Sequence, residues 1–437
     1  MIYYKNIITS VMKKTIIFIF FVFSICGNLF SQEVDFNKYF LDKSLRVDFS
    51  HAGNFNEARY YLEQLKSEPY WSGSKVNLID PFDYGDYKIM VYSKDGELIF
   101  TRGFNTLFQE WRTTEEAKTV SRSFYESMQI PYPKDTVIFE IHNRLKTGGF
   151  EKKFSVTIAP QSYLINPELV NVYPVNEILN SGDPSKKLDI VLLPEGYMAT
   201  EMEKYHNDAK RMMDYMLGCS PYKENKDNIN FWTVDAPSKE SGTDFPKKGI
   251  FKNTAFNSSF STFGTERYLM TTDIKTLHDV AANVPYDQII ILVNTDVYGG
   301  GAIYNYYACT SVDNIYTDYV ICHEYGHSLA ALADEYYTSD VAVQDYYDLN
   351  VEPYEPNITT LVNFDKKWKS LVFPDTPIPT PSTQEYANKV GAFEGGGYVA
   401  KGVYRPMQDC TMKSIVYDKF CPVCKKAIND VISYYTK

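Results

Sequence analysis

Two of the six histidines in the chain, His323 and His327, stand four residues apart, with Glu324 directly after the first. On a helix this spacing sets both imidazoles on one face, one turn apart, where they can reach a single ion. Glu324 then lies beside that ion, placed to take a proton from water rather than to bind metal. The chemistry so specified is zinc-assisted hydrolysis. A catalytic zinc takes three protein ligands and keeps one position open. No histidine follows His327, so the third ligand is an acid unless the upstream His278 or His206 folds in. Asp334 is the first choice, Glu335 the second, and a later acid such as Glu352 or Glu355 the third. In an unbroken helix Asp334 would sit about 10 Å further along the axis than His327. It reaches the ion only if the helix stops near Ala330 or Ala331 and the chain folds back.

The elements around this motif are also readable. Cys322, Tyr325, Leu329 and Leu332 recur at helical spacing and form an apolar stripe opposite the histidines. Thr317 or Asp318 is expected to cap the helix. Gly299-Gly-Gly301 leads into Ala302-Ile-Tyr-Asn-Tyr-Tyr307, an expected edge strand to which a peptide substrate could add through main-chain hydrogen bonds. Tyr304 and Tyr306 are candidates for a phenol that steadies a developing oxyanion. Cys410-Thr-Met412-Lys-Ser414 puts a lone methionine in a turn-like segment after the helix. Cys421-Pro-Val-Cys424 has the spacing of half a zinc knuckle, with Cys410 as a third sulfur. No second Cys-x-x-Cys or nearby histidine completes such a site, so a disulfide or plain burial is expected for these thiols.

The remainder of the 437 residues organises itself around this motif. Lys13 and Lys14 precede an apolar run from Ile16 to Phe23, which reads as an export signal over residues 1–31 and is too short for a comfortable membrane span. Cleavage near Ser31 fits better than lipidation at Cys26, because Ile25 is a poor neighbour for lipid processing. The mature chain is then secreted, periplasmic or held at the surface of a bacterium, with no transmembrane span. Residues 34–165 alternate apolar and polar positions between turns, as in Tyr87-Lys-Ile-Met-Val-Tyr92 before Lys94-Asp-Gly96, and predict an antiparallel β-sandwich with one helix over about 115–127. His51 and His142 are isolated there and read as ordinary histidines. Residues 166–184 read as a linker. From residue 185 to 437, apolar strands such as Leu188-Asp-Ile-Val-Leu-Leu193 and Gln288-Ile-Ile-Ile-Leu-Val293 alternate with helices, which predicts an α/β catalytic layer. The expected class is thus a two-domain α+β protein. A net charge of −11 leaves no basic stripe for a nucleic acid, and no Gly-x-Ser-x-Gly elbow points to a serine hydrolase.

The segments Leu188-Asp-Ile-Val-Leu-Leu-Pro-Glu-Gly-Tyr197, Gly299-Gly-Gly-Ala-Ile-Tyr304, His323 to Tyr336 with its Ala-Asp-Glu-Tyr ending, and Cys410-Thr-Met412 followed by Phe420-Cys-Pro-Val-Cys424 resemble the bacterial IgA-peptidase family of zinc metallopeptidases. The N-terminal region is similar to the domain that precedes the peptidase in that family. The resemblance implies a zincin or metzincin-like fold and a zinc ion held by His323, His327 and Asp334, with Glu324 as general base. It further implies a protein or peptide substrate, which the family name extends to host glycoproteins. The general metzincin pattern has Gly where this chain has Ala330, and its third ligand falls on Ala333, one residue before Asp334. Two other readings share the motif. One is an inert surface binding protein on a zincin scaffold, against which the intact Glu324 speaks; the other is a zinc hydrolase of a non-peptide bond.

Overall fold

Sixteen strands and six α-helices are formed in the computed structural model, which describes residues 34–337 and 347–437. The export signal expected over residues 1–31, with Cys26, lies outside the described residues. Helix α1 (Phe36–Tyr39) leads into β1 (Phe40–Gly53), β2 (Ala58–Glu68), β3 (Tyr87–Ser93) and β4 (Leu98–Phe104). After α2 (Leu107–Arg112) come β5 (Arg122–Pro133), β6 (Val137–Arg144), β7 (Phe150–Ile158) and β8 (Ile165–Asn166). These strands make two four-stranded sheets, in the orders β5-β1-β2-β8 and β4-β3-β6-β7. Pairing is antiparallel apart from β8, which runs parallel to β2. Side chains along β3 alternate strictly between buried and half-buried, the period of two that the sequence displays.

One helix was expected over 115–127, and it is not there. Glu116–Lys118 makes a single 3₁₀ turn, and Arg122 onward is β5, paired with β1 from Arg122↔Gly53 to Pro133↔Phe40 with one register shift between Leu41 and Ser44. Burial of Phe124, Met128 and Ile130 on that strand outweighs the helix-favouring Glu-Glu-Ala-Lys that precedes it. The helix lies earlier, at α2, where Thr106 caps it by accepting from the Gln109 amide.

A third sheet has six strands. Its members are β9 (Val175–Leu179), β10 (Leu188–Glu195), β11 (Ile229–Val234), β12 (Gln288–Val293), β13 (Gly300–Ile303) and β14 (Tyr307–Ser311), in the order β13-β14-β12-β10-β11-β9. Strands β11, β10, β12 and β14 run parallel, and the edges β9 and β13 are antiparallel. Strand β9 falls inside the stretch read as a linker. Every residue of β10 and β12 is buried, as expected for central strands covered on both faces. Ile190, Leu192, Ile290 and Leu292 share one core with α3 (Met202–Gly218), α5 (Thr317–Ala330) and α6 (Pro422–Tyr435). Val191, Leu193, Ile289 and Ile291 point the other way, onto α4 (Ile274–Ala281) and onto Leu107, Phe108 and Trp111 of α2. The N-terminal segment therefore supplies part of the core behind the six-stranded sheet. Large apolar side chains buried in this way contribute roughly 1.5–3 kcal/mol each.

A buried charge cluster reinforces that junction. Arg46 on β1 donates to Asp48 (2.9 Å) and Glu68 (2.9 Å), and reaches Asp279 on α4 at 2.8 Å, where Lys66 also binds at 2.6 Å. Burial raises the cost of the Asp279 charge, but Arg46 and its lysine neighbours more than offset it and hold the carboxyl down to about 2. The hairpin of β15 (Phe393–Gly396) and β16 (Val399–Arg405) completes the fold.

Candidate active site

Helix α5 carries the motif. Cys322, Tyr325 and Leu329 are fully buried, Leu332 nearly so, and the stripe faces the core shared with α3 and α6. Neither expected cap is used: Tyr316 is the N-cap and makes no side-chain cap bond. Thr317 instead donates its hydroxyl to Ser311 O (3.0 Å) and accepts from the Asn314 amide, bracing the loop that enters the helix. The glycine run ahead of the helix has a steric cause. A Cβ on Gly300 would lie 2.8 Å from Val320 Cγ1 and 3.1 Å from Glu324 Cγ, so β13 can press against α5 only without a side chain there.

The helix ends where a fold-back is possible. Ala331 adopts a left-handed φ of 50°, at a cost of roughly 1–2 kcal/mol for a residue with a Cβ. Its amide donates to His327 O (3.1 Å), and the Leu332 amide reaches Gly326 O (3.4 Å), which closes the last turn. The break thus falls at Ala331 rather than at Ala330, and the returning chain delivers Asp334 instead of Ala333. Asp334 Oδ1 lies 3.1 Å from His323 Nε2 and 3.4 Å from His327 Nε2, and the two Nε2 atoms are 3.2 Å apart.

Tetrahedral zinc with bonds of about 2.0–2.1 Å sets its ligand atoms about 3.3–3.4 Å apart, which is the triangle these three atoms make. Each ring is also turned to bind through Nε2. His323 Nδ1 donates to Thr411 O at 3.0 Å and His327 Nδ1 to Leu332 O at 2.5 Å, so the protonated nitrogens point away from the triangle. Asp334 Oδ1 is buried without a hydrogen-bond donor, while Oδ2 accepts from the Tyr398 phenol. An N, N, O donor set converging at this spacing fits a divalent metal.

Charges follow this arrangement. Burial pushes the Asp334 carboxyl up, but His327 and His323 hold it well below the usual carboxylate range. Burial lowers His327, yet Asp334 wins and pushes it up to about 9. Glu324 is half-buried at the wall of a cleft of about 310 Å³ that also exposes the three converging residues. Its carboxyl is raised by burial and only partly pulled back by the two imidazoles. Met412 lies beneath the helix, its sulfur against Gly326, and Thr411 beside it holds the His323 ring.

Residues 176–386 and 382–432 match the family described as IgA Peptidase M64, and residues 35–155 match Peptidase M64 N-terminus. The chain belongs to this peptidase family. No curated protein matches it.

In this M64 peptidase the other acids and histidines weighed as ligands lie elsewhere. His278 is buried against Tyr286 OH (2.9 Å), and His206 pairs with Asp235 (2.9 Å). Glu335 turns away from the triangle, toward Asn357 and Cys424. Glu352 accepts the Asn363 amide, and Glu355 lines the cleft while accepting from Tyr347 OH. Tyr304 reaches the cleft, whereas Tyr306 packs in the core against Tyr307 and cannot serve there. Several cleft residues carried no sequence signal. Tyr298, Tyr319 and Tyr398 are three among 37 tyrosines, and Arg267 and Glu110 come from segments without a motif. Glu110 accepts from the Tyr268 phenol, and burial pushes its carboxyl up to about 7.

Proposed function

We propose that this peptidase is an exported zinc-dependent endopeptidase, with His323, His327 and Asp334 as zinc ligands and Glu324 as general base. The reading rests on one observation: three ligand atoms converge at tetrahedral spacing in a cleft that Glu324 lines. On this reading the six-stranded sheet with α5 is the metzincin-like catalytic layer, and the two N-terminal sheets form the accessory sandwich. Zinc, when bound, acidifies water and polarises a carbonyl.

The protein's own groups do the rest. The Glu324 carboxylate takes a proton from the attacking water, and its raised affinity for that proton suits it to pass the proton on to the departing nitrogen. Thr411 and Leu332 carbonyls keep both imidazoles in the tautomer that binds metal. The edge strand β13 offers a seat for an extended substrate. Gly300 spends its amide and carbonyl on Arg267 and Leu269, and by the two-residue period the same edge next presents the amide and carbonyl of Ala302.

Casein or gelatin cleavage by wild type, Glu324→Gln and His327→Ala tests the assignment. Glu324→Gln is expected to keep its zinc and lose about 10²–10⁴-fold in rate. His327→Ala is expected to lose the ion from this site. Equal cleavage by wild type and Glu324→Gln would refute the mechanism, whereas no cleavage by zinc-loaded wild type would favour an inert binding scaffold.

A further inference from the structure

A second cluster lies immediately behind the first, and nothing in the peptidase mechanism uses it. Cys410, Cys421, Cys424 and Glu335 are all buried, and one ligand atom from each falls within 4.8 Å of the others. All three thiols are free. We propose that Cys410, Cys421, Cys424 and Glu335 bind a second, structural metal ion, with zinc the cation that this donor set and geometry suit.

The Cys410 and Cys424 sulfurs are 3.8 Å apart. A disulfide brings two sulfurs to about 2.05 Å, whereas tetrahedral zinc with bonds of about 2.3 Å sets them about 3.8 Å apart. Three sulfurs share the space, so any disulfide would strand the third thiol beside a buried carboxylate. Glu335 is fully buried. Its Oε1 meets Cys424 Sγ at 3.2 Å and accepts from Asn357 at 3.0 Å, while Oε2 has no hydrogen-bond partner. An unpartnered carboxyl oxygen among sulfurs is costly in an apolar core and is resolved by a cation.

The local backbone is arranged for sulfur anions. The Cys421 amide donates to Cys410 Sγ (3.3 Å) and the Cys424 amide to Cys421 Sγ (3.4 Å). Cys421 is the N-cap of the fourteen-residue helix α6, so the positive end of that helix faces the sulfurs. Coordination breaks three S–H bonds, sends three protons to solvent and leaves every oxidation state unchanged.

This site would also steady the catalytic one. Glu335 follows Asp334 in the chain, and Cys410 precedes Thr411, whose carbonyl orients His323. The Glu335 amide donates to Met412 O at 2.8 Å, joining the same two strands of chain. One ion gripping Glu335 and Cys410 would therefore fix the spacing between Asp334 and the His323 support.

The test is metal counting on the full chain, reduced, loaded with excess zinc and dialysed. Two zinc ions per chain are expected in wild type, one in Cys424→Ser, one in His327→Ala and none in the double variant. Loading with cobalt supplies a signature that total content lacks. His327→Ala should keep a thiolate-to-cobalt charge-transfer band, and it serves also if Cys424→Ser fails to fold. A single zinc in wild type that Cys424→Ser retains, no such band in His327→Ala, or a Cys421–Cys424 disulfide found by peptide mapping in the reduced, zinc-loaded protein would overturn the proposal. Loss of zinc from the His327 site alone reports on the catalytic reading and leaves the thiolate band intact.

Discussion

Replacing Tyr398 by Phe probes the proposed zinc-ligand set without touching any of its three members. The phenol donates to Asp334 Oδ2, and Oδ1 is the oxygen that faces the imidazoles. A hydrogen bond to a charged group contributes about 1.5–3 kcal/mol. Partners standing behind metal ligands account for about 10–100-fold in metal affinity, and since about 1.4 kcal/mol is tenfold the two scales agree. In Tyr398→Phe, Oδ2 loses its donor in a buried setting, so the negative charge on Asp334 costs more and protons compete better with metal. The free zinc concentration giving half-maximal peptidase activity should rise about 10–100-fold, and more steeply than in wild type as the pH falls. Activity measured against chelator-buffered zinc at several pH values reads this site directly. Tyr417→Phe is the control, because its hydroxyl bonds Tyr215 O at 2.7 Å in another part of the core. A half-activating zinc concentration within about twofold of wild type, in a variant with an unchanged thermal transition, would refute the idea that Tyr398 holds a ligand.

In metal-free protein, His327 is raised from its ordinary 6.5 to about 9 by Asp334. That stabilisation, about 3 kcal/mol, is complete below pH 6.5 and is lost as pH rises through 9. Urea unfolding of apo wild type should show the loss and apo His327→Gln should not; parallel curves would reject the pairing. Asp279 is held down from 3.8 to about 2, so its contribution of about 2 kcal/mol is present above pH 4 and disappears as pH falls toward 2. Asp279→Asn leaves Arg46 and Lys66 buried and short of charge, and should cost about 3–5 kcal/mol at neutral pH by denaturant unfolding. Removing residues 34–165 bares the face of the six-stranded sheet covered by Phe108 and Trp111, so limited proteolysis should find no protected core in the truncated chain.

What the sequence disclosed and what it hid divide along a physical line. His323, Glu324 and His327 were legible because one helical turn brings them together, and the strand Leu188–Leu193 because continuous apolar character is local. Asp334 could only be ranked. Its approach depends on a left-handed Ala331, a conformation that alanine does not advertise and that the Leu332–Gly326 closure enforces. The misread segment 115–127 shows the converse, where a local helical signal gave way to pairing with β1, seventy residues away in the chain. Glu335 is the plainest case of what stays hidden. Its sulfur neighbours lie at 410, 421 and 424, and no spacing rule links an acid to thiols so distant.

The cleft itself is assembled from both halves of the chain. Asn105, Glu110 and Thr113 of the N-terminal region line it together with Glu324 and His327. The Asn105 amide donates to Tyr304 O at 3.0 Å, and Asn305 returns a bond to Gly103 O at 2.8 Å, so these walls are fastened across the junction. Glu110 responds to the motif electrostatically: burial raises its carboxyl, His327 opposes that rise and Glu324 adds to it. The matches to Peptidase M64 N-terminus and to IgA Peptidase M64 are separated in sequence between 155 and 176, yet the apolar core is continuous through α2 and the back of β10 and β12. A region that contributes core, cleft wall and a carboxyl that senses the site charge helps set the environment in which Glu324 works.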